Sequence, residues 1–268
     1  MFSLAGKVAV VTGASKGLGR AIAQTYADQG ADVVIAARNM DEMNSLKAEI
    51  EAKGRKALVH RTDVTDVAQI VALGDAAKAA FGKIDVWVNN AGGDSSIPGG
   101  WGELLDITEE GWDRMIALNM RSYIFGAQTA AKLMKETGGG SIIMMSSIDS
   151  FYATPGGEIV YGACKAGINN ITQTLAVELG QYNIRVNAIA PAIVETPLTS
   201  PWLASPEDRK LRSQFYPLKR VGQPPDIAGA AVYFASDEAQ WISGAVLLAS
   251  GGSVFTSDPY RYLMRVNA

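Results

Sequence analysis

The segment YGACK places Tyr161 and Lys165 four residues apart in an Ala/Gly-rich stretch that is predicted to be helical. Both side chains have reference pKa values near 10, so neither alone is an effective acid–base group at neutral pH. Residues i and i+4 share one face of a helix, so the ammonium can stabilise the ionised phenol. The pair indicates proton transfer at the phenol only if other groups converge on it, because most such pairs are solvated surface contacts.

A glycine turn near the start of the chain is the second chemical feature. In TGASKGLG, the residues Gly13, Gly17 and Gly19 follow a predicted strand and open a predicted helix. Such a turn lets the backbone approach a pyrophosphate, and the helix N-terminus offers unpaired N–H groups to an anion. The spacing G-x-x-x-G-x-G alone fits a structural turn as well. Its position between strand and helix favours a dinucleotide site.

The end of the second predicted strand bears on the choice of cofactor. NAD-binding sites commonly carry an acidic residue about 20 residues beyond the glycine turn, where it accepts from the adenosine ribose 2′-hydroxyl. Here the strand ends in AAR, and Arg38 stands at that place. A guanidinium pairs well with a 2′-phosphate, and Lys16 in the glycine turn adds a second positive charge. The pattern predicts NADP(H), the alternative being that both are ordinary surface charges.

The elements that must position these groups alternate along the chain. Short, continuous apolar runs typical of buried parallel strands alternate with segments of helical spacing. The predicted strands are 7–12, 32–37, 57–60, 84–89, 141–146, 184–189 and 245–249. The predicted helices are 18–29, 40–52, 67–81, 109–135, 160–181 and 226–235, with glycines just past several of their ends. This order predicts an α/β fold: a Rossmann-like, doubly wound parallel sheet of about seven strands, with helices on both faces. Residues 1–268 are predicted to form a single domain.

The composition and net charge limit which partners and metals we expect the protein to bind. The hydrophobic fraction is 48% and the net charge is −3, which gives no bulk reason to expect nucleic acid or an anionic membrane as partner. The single Cys164 rules out an internal disulfide, and the single His60 leaves no His/Cys metal cluster. We expect no secretory signal and no apolar run of the ~18 residues that a membrane span needs. The prediction is a soluble, cytoplasmic protein without a metal.

With these pieces together, the chain resembles the short-chain dehydrogenase/reductase family in its single-domain branch of about this length. The resemblance runs over roughly residues 5–252. The motifs that carry it are TGASKGLG (12–19), DVT (63–65), NNAG (89–92), Asn119 in ALNM, SS (146–147), YGACK (161–165) and APAIVETP (190–197). The combination is far more specific than the glycine turn alone.

The resemblance implies catalytic roles at four positions. Tyr161 would be the general acid/base at the substrate oxygen, and Ser147 would hydrogen-bond that oxygen. Lys165 would hold the nicotinamide ribose and lower the pKa of the phenol, and Asn119 would hold a water that links Lys165 to solvent.

The resemblance also implies a cofactor site. Asp63 and Val64 would line the adenine, Asn89 to Gly92 would form a wall beside the cofactor, and Ile193 and Thr196 would lie by the nicotinamide carboxamide. The cofactor-binding set predicted in this way is Gly13, Ser15, Lys16, Gly17, Leu18, Gly19, Arg38, Asp63, Val64, Asn90, Ala91, Gly92, Tyr161, Lys165, Pro191, Ile193 and Thr196.

Two departures from the family pattern bear on these roles. Ser147 precedes Tyr161 by 14 residues, one more than the family pattern leads us to expect, and a Pro-Gly turn between them is predicted to absorb the extra residue. Ser146 is the alternative serine. The Pro-Gly expected near the nicotinamide reads Pro191-Ala192, and alanine disfavours a left-handed backbone.

Substrate choice is predicted to lie in three segments, 92–102, 150–157 and a lid at about 192–222. Their apolar and aromatic side chains favour a hydrophobic ketone or alcohol as substrate, for example a cyclic one. These side chains are Phe151, Tyr152, Trp202, Leu203, Phe215 and Tyr216. The tail 253–268 carries three aromatic residues that have no obvious place in the core. Since members of the family often assemble as tetramers, we predict a homotetramer.

The predicted function is NADP(H)-dependent interconversion of a small-molecule ketone and a secondary alcohol. Three alternatives remain at this point: an NAD-dependent alcohol dehydrogenase, a catalytically silent NADP(H)-binding sensor or scaffold, and an epimerase or dehydratase. A silent binder has no use for the Tyr161–Lys165 pair. Epimerases and dehydratases generally carry a longer substrate domain. Cys164 is expected to be a buried structural cysteine, and His60 is not expected to be catalytic.

Overall fold

The computed structural model describes residues 2–93, 95–152 and 158–253. Within them, one seven-stranded parallel sheet has the order β3-β2-β1-β4-β5-β6-β7. The strands are β1 Val8–Thr12, β2 Asp32–Ala37, β3 Ala57–Arg61, β4 Val86–Asn89, β5 Gly140–Met145, β6 Ile184–Pro191 and β7 Val246–Ala249. The doubly wound parallel sheet predicted from the alternating pattern is confirmed.

The α-helices of the described residues are α1 Gly17–Asp28, α2 Met40–Ala52, α3 Val67–Phe81, α4 Glu109–Ile116, α5 Ser122–Glu136, α6 Ile159–Leu179, α7 Pro206–Gln214 and α8 Pro224–Ala235. Most predicted boundaries agree within two residues. The predicted helix 109–135 is divided, because a π-helical turn, Ala117–Arg121, separates α4 from α5. The helix α7 begins at a capping box between Ser205 and Asp208 in the predicted lid.

The apolar runs form strands because both faces of the sheet are covered. All five residues of β1 are buried, as are all four of β4, and the indole of Trp87 is fully enclosed. Helices α1 and α8 pack together, and α3 packs against α5. In such a sheet the strand order reverses between β1 and β4, and the crevice beyond their carboxyl ends is where ligands bind.

Three predicted segments fall partly outside the described residues. These are the tail, of which only its first residue is described, the segment 92–102, of which residue 94 is not described, and the segment 150–157, of which residues 153–157 are not described. The Pro-Gly turn predicted to absorb the extra residue before Tyr161 lies in that range. None of the described helices combines the length and the apolar character that crossing a membrane requires.

Candidate active site

A cleft of about 1790 Å³ opens at the carboxyl ends of the strands. It is lined by nearly all of the predicted site residues, from the glycine turn to the lid. Two do not line it, Gly19 and Asn119. A Cβ on Gly19 would collide with the carbonyl oxygen of Gly13 and with the Asn90 side chain. Gly19 therefore permits close packing of α1 against the turn, and its predicted contact with the cofactor is not supported by its position.

The glycine turn has the shape of a phosphate cradle. Gly13 has a φ of 65° and Gly17 a φ of 58°, both in the left-handed region. A Cβ on Gly13 would lie 2.8 Å from the Cα of Ala91, so the glycine allows the turn to meet the NNAG segment. No described side chain caps the first turn of α1 at Lys16, which leaves backbone N–H groups there for an anion. These features fit a bound dinucleotide.

The adenosine end of the cleft carries both signs of charge. Arg38 and Lys16 are exposed and line the cleft. Asp63 accepts hydrogen bonds from the backbone and side chain of Thr65, at 3.0 and 2.7 Å. Burial acts to raise the pKa of Asp63, but those hydrogen bonds and the charges of Arg38 and Arg61 hold it below its usual value. Asp63 is therefore an anion that shapes its own turn beside the cleft.

The predicted serine lies against the tyrosine. Ser147, just beyond β5, is 6% exposed, and its Oγ donates to Asp149 Oδ2 at 2.8 Å. Ser147 also acts on the Tyr161 hydroxyl as a hydrogen-bonding neighbour and lowers its pKa, so the two side chains lie close together. Ser146 instead donates to Asn169 Oδ1 at 2.7 Å and so engages the middle of α6. The geometry favours Ser147 over Ser146 as the substrate-binding hydroxyl.

The pKa of Tyr161 runs against the sequence-based expectation. Burial of the hydroxyl raises this pKa above its ordinary value, the charge of Asp149 raises it further, and the hydrogen bond with Ser147 lowers it. The ammonium of Lys165 lies 5.4 Å from the centre of the Tyr161 ring and is engaged elsewhere. Lys165 is not among the causes of this shift, so the expectation that Lys165 lowers the pKa of Tyr161 stays a prediction.

Lys165 is 2% exposed. Its Nζ donates to the carbonyl of Met145 at 2.8 Å and to the hydroxyl of Tyr123 at 3.1 Å. Burial lowers the pKa of Lys165 to about 7, although Cys164 and Asp149 act to raise it. At neutral pH the amine is therefore divided between its charged and neutral forms.

Asn119 lies in the π-helical turn between α4 and α5, and its side chain is fully buried. Its Oδ1 accepts from the backbone N–H of Gly93 at 2.7 Å, and its Nδ2 donates to the carbonyl of Met115 at 3.2 Å. π-turns often occur at functional sites, since they reposition one residue in a helix. The side chain therefore anchors the loop after β4, and its predicted link to a water and Lys165 stays a prediction.

Sequence reasoning missed a pair of carboxyl groups in the cleft. Asp149 and Glu158 are hydrogen-bonded to each other. Burial raises the pKa of Glu158 to about 8, with the neighbouring Asp149 as the second cause. Asp149 also holds Ser147, so the pair borders the reacting groups. The only sequence signal was an aspartate two residues after the serine.

Two aromatic residues were also missed in this role. The ring of Trp101 lies 5.1 Å from that of Tyr161, centre to centre, and forms one wall of the cleft. Trp101 lies in the loop after β4, where no motif predicts this contact. Tyr123, which holds Lys165, could not be found from the sequence, because an isolated tyrosine in a helix carries no motif.

The segment predicted to be a lid begins where β6 ends. The backbone φ of Ala192 lies outside the left-handed region, so the Pro191-Ala192 sequence brings no backbone strain. Leu203, Tyr216 and Val221 form a small buried cluster that packs on Ala192 and Ile193.

The apolar and aromatic residues predicted to contact substrate divide into two groups. Leu203 is buried in the lid cluster and does not line the cleft, and Phe151 does not line it either. For these two residues the prediction is wrong. Tyr152, Trp202, Phe215 and Tyr216 do line it.

Cys164 has the predicted structural role. It is buried in a small cluster with Ile97, Met115 and Val160. Burial raises the pKa of its thiol to about 11, although the charge of Lys165 acts to lower it. Among the described residues, no group of His, Cys, Asp and Glu side chains could hold a metal ion.

Comparison with known proteins agrees with this geometry. Residues 13–254 match a family model described as enoyl-(acyl carrier protein) reductase. The chain is 38% identical to 7alpha-hydroxysteroid dehydrogenase of Escherichia coli K12, over 94% of this chain and 95% of that protein. It is 40% identical to L-rhamnose 1-dehydrogenase (NAD(P)(+)) of Azotobacter vinelandii, over 92% of this chain and 96% of that protein.

This chain belongs to the short-chain dehydrogenase/reductase family. A solved short-chain type dehydrogenase/reductase from Mycobacterium marinum matches it with a TM-score of 0.88 and 34% identity, covering 95% of this chain and 98% of that one. The protein is thus an oxidoreductase of a family that uses a nicotinamide cofactor. The fold prediction and the family resemblance are both confirmed.

Proposed function

We propose that this short-chain dehydrogenase/reductase interconverts a ketone and a secondary alcohol with NADP(H), within one domain that carries both the cofactor and the substrate site. The observation that supports it most is that Ser147, Tyr161 and Lys165 line one cleft together with the glycine turn. When bound, the nicotinamide supplies or takes up the hydride. The protein's own residues must hold the substrate oxygen and move a proton to or from it.

Tyr161 would transfer that proton. Its raised pKa keeps the hydroxyl protonated at neutral pH, which suits a general acid that protonates the carbonyl oxygen during reduction. Ser147 would hydrogen-bond the same oxygen and orient it. Lys165 would hold the nicotinamide ribose, and Asn119 would fix the loop after β4 through Gly93.

The residues proposed to hold the cofactor line the cleft in one continuous band: Gly13, Ser15, Lys16, Gly17, Leu18, Arg38, Asp63, Val64, Asn90, Ala91, Gly92, Tyr161, Lys165, Pro191, Ile193 and Thr196. We propose NADP(H) rather than NAD because Arg38 and Lys16 stand at the adenosine end. The name of the rhamnose dehydrogenase includes both cofactors, so that relative does not decide the choice.

The proposed substrate is a hydrophobic ketone or alcohol, cyclic ones included. Tyr152, Trp202 and Phe215 on the cleft surface support it, and a hydroxysteroid dehydrogenase is among the relatives. A sugar or other polyol is the second candidate. The Asp149–Glu158 pair favours it, because substrate hydroxyls could donate to these carboxyl groups beside Ser147.

The proposal includes a homotetramer and a cytoplasmic location. Leu105, Val177 and Trp241 are 96, 86 and 96% exposed, and large apolar side chains at the surface are what contacts between copies would cover. The cytoplasmic location is proposed from the lone cysteine in the sequence. Light scattering at micromolar concentration tests the assembly, and a monomer would reject it.

A substrate panel tests the function. The protein is mixed with NADPH or NADH and with cyclic ketones, aryl ketones, oxidised steroids, keto sugars or an enoyl thioester, and loss of the reduced cofactor is followed by absorbance. We expect oxidation of NADPH with at least one ketone. Turnover of the enoyl thioester alone would contradict carbonyl chemistry. Tight NADPH binding without any turnover would favour the silent sensor.

A further inference from the structure

Tyr123 and Lys165 form a buried contact that the proposed chemistry does not yet use. The Tyr123 side chain is 1% exposed. Its hydroxyl accepts from Lys165 Nζ at 3.1 Å, and Nζ lies 4.5 Å from the centre of its ring. The other acceptor of Nζ, the carbonyl of Met145, is also uncharged. The amine is therefore stabilised in the protein by neutral oxygens and by the faces of the Tyr123 and Tyr161 rings, of which the Tyr123 ring is the nearer.

A phenol matches both states of this amine. When Lys165 is charged, the phenol oxygen accepts from the ammonium and the ring face attracts the cation. When Lys165 is neutral, the phenol can instead donate its proton to the amine. Phenylalanine would keep the ring and lose the oxygen, so a Phe variant separates the two contributions.

The surrounding backbone leaves room for this contact. A Cβ on Gly92 would lie 2.7 Å from Asn119 Oδ1, 3.5 Å from the Tyr123 hydroxyl and 3.6 Å from Lys165 Nζ. Gly92 is absent from the left-handed glycines, so its lack of a side chain matters here for space. The glycine of the NNAG motif therefore makes room for Asn119 Oδ1 beside the Tyr123–Lys165 contact, with which a Cβ would be in ordinary van der Waals contact.

The position of Tyr123 is fixed by its helix. Tyr123 lies in the first turn of α5, directly after the π-turn. Its carbonyl accepts from Asn89 Nδ2 at 3.2 Å, which ties the start of α5 to the end of β4. Tyr123 does not line the cleft, whereas Lys165 does. Tyr123 can therefore act on bound ligands only through Lys165.

We propose that Tyr123 is a positioning residue, whose hydroxyl holds the Lys165 amine in place and favours its charged form. The inference rests on the proposed function for its catalytic meaning, since Lys165 would hold the cofactor ribose. Its physical content, the stabilisation of a buried ammonium by a phenol oxygen, does not depend on any substrate.

Other titratable groups also face Lys165 in the described part of the chain. They are Tyr161 and Cys164 from α6, and Asp149 from the turn after β5. Burial lowers the pKa of Lys165 to about 7, and both Cys164 and Asp149 act to raise it. A change at Tyr123 leaves these three groups in place.

The test measures the titration of Lys165 directly. The protein is labelled with ¹³C-lysine, and the Lys165 signal is assigned by its loss in Lys165→Met. In Tyr123→Phe we expect the titration midpoint to fall by about one pH unit, a roughly tenfold loss of proton affinity, since a hydrogen bond from a charged donor is lost. Tyr26→Phe is the matched control, because Tyr26 is also fully buried and its hydroxyl donates to the carbonyl of Ala231 at 3.0 Å.

An unchanged midpoint in Tyr123→Phe, or an equal fall in Tyr26→Phe, would overturn the proposal. If Tyr123→Phe does not fold, Tyr123→Met removes the same oxygen with a more adaptable side chain, and the same fall is expected. With a substrate in hand, Tyr123→Phe should also raise the KM for the cofactor more than it lowers kcat. If the native protein turns over no substrate, the proposed function fails while the titration still decides the role of Tyr123.

Discussion

The Asp149–Glu158 pair should set the pH at which Tyr161 can act as a base. Asp149 is the second cause, after burial, of the raised pKa of Tyr161, and Glu158 contributes in the same direction. The pKa of Glu158 is about 8. The pair therefore gains a negative charge as pH rises through about 8. We expect that replacing both with amides lowers the pKa of Tyr161.

The magnitude follows from the chain of contacts. Ser147 bridges Asp149 and Tyr161, with a 2.8 Å hydrogen bond on the Asp149 side. Two such bonds in series separate the charges by roughly 6 Å, which at an effective dielectric constant of about 20 corresponds to about 3 kcal/mol, or about two pKa units. Asp149 is half-buried, and solvent screening reduces this to about one unit.

The assay is the pH dependence of kcat/KM for alcohol oxidation, which requires the ionised phenol. Removing negative charge favours the ionised form of Tyr161. In the double variant Asp149→Asn/Glu158→Gln, the rising limb of the kcat/KM profile should therefore move to lower pH by about one unit. Glu158→Gln alone should match the native enzyme below about pH 8, because glutamine resembles the protonated acid. The single Asp149→Asn should shift the limb less, because Glu158 then ionises more easily.

Asp113→Asn is the matched control. Asp113 lines the same cleft from α4 and is not among the causes of the Tyr161 pKa. Its replacement should leave the limb in place. A double variant whose profile overlays the native one would refute the electrostatic reasoning, and so would an equal shift in Asp113→Asn.

Two further outcomes follow from charges in the cleft. Arg38→Asp should change the ratio of kcat/KM for NADPH to that for NADH by at least tenfold in favour of NADH, because an aspartate repels a 2′-phosphate and accepts from a 2′-hydroxyl; an unchanged ratio would contradict the role of Arg38. Lys165→Met should stabilise the protein without cofactor at neutral pH, since the folded pKa of Lys165, about 7, lies below its ordinary value of 10.5. The stability penalty is then full below about pH 7 and disappears as pH rises toward 10.5, so the gain in unfolding free energy of the variant should shrink by about 5 kcal/mol between those limits. Denaturant unfolding across this range measures it, and a pH-independent gain would contradict a buried charged amine.

The sheet could be predicted from the sequence because its signals are local. Parallel strands buried on both faces read as continuous apolar runs, and β1, β2 and β4 were predicted in this way. The π-turn Ala117–Arg121 could not be predicted, because its residues continue a regular helical pattern. Its formation depends on what the helix packs against.

The candidate site shows the same division. The glycine turn, Ser147 and the Tyr161–Lys165 pair have fixed spacings along the chain and were found. Tyr123 and Glu158 carry no motif, and they meet the site only through folding. Glu158 lies next to the start of α6.

The tuning of pKa values was also beyond the sequence. The spacing of Tyr161 and Lys165 predicted a lowered phenol pKa, whereas burial raises it. Burial depends on every element around the group, so a spacing rule cannot supply it. The same burial brings the pKa of Lys165 to about 7.

The central claim is that the Tyr161 hydroxyl transfers the proton in a hydride-transfer reaction. The direct measurement compares the single-turnover rate and the NADPH dissociation constant of Tyr161→Phe with those of the native enzyme. Tyr182→Phe, the same change at a tyrosine that does not line the cleft, is the control. The account predicts that Tyr161→Phe loses a factor of about 10²–10⁴ in rate, keeps NADPH affinity within about twofold, and that the control keeps both. A Tyr161→Phe enzyme that retains the native rate would contradict it.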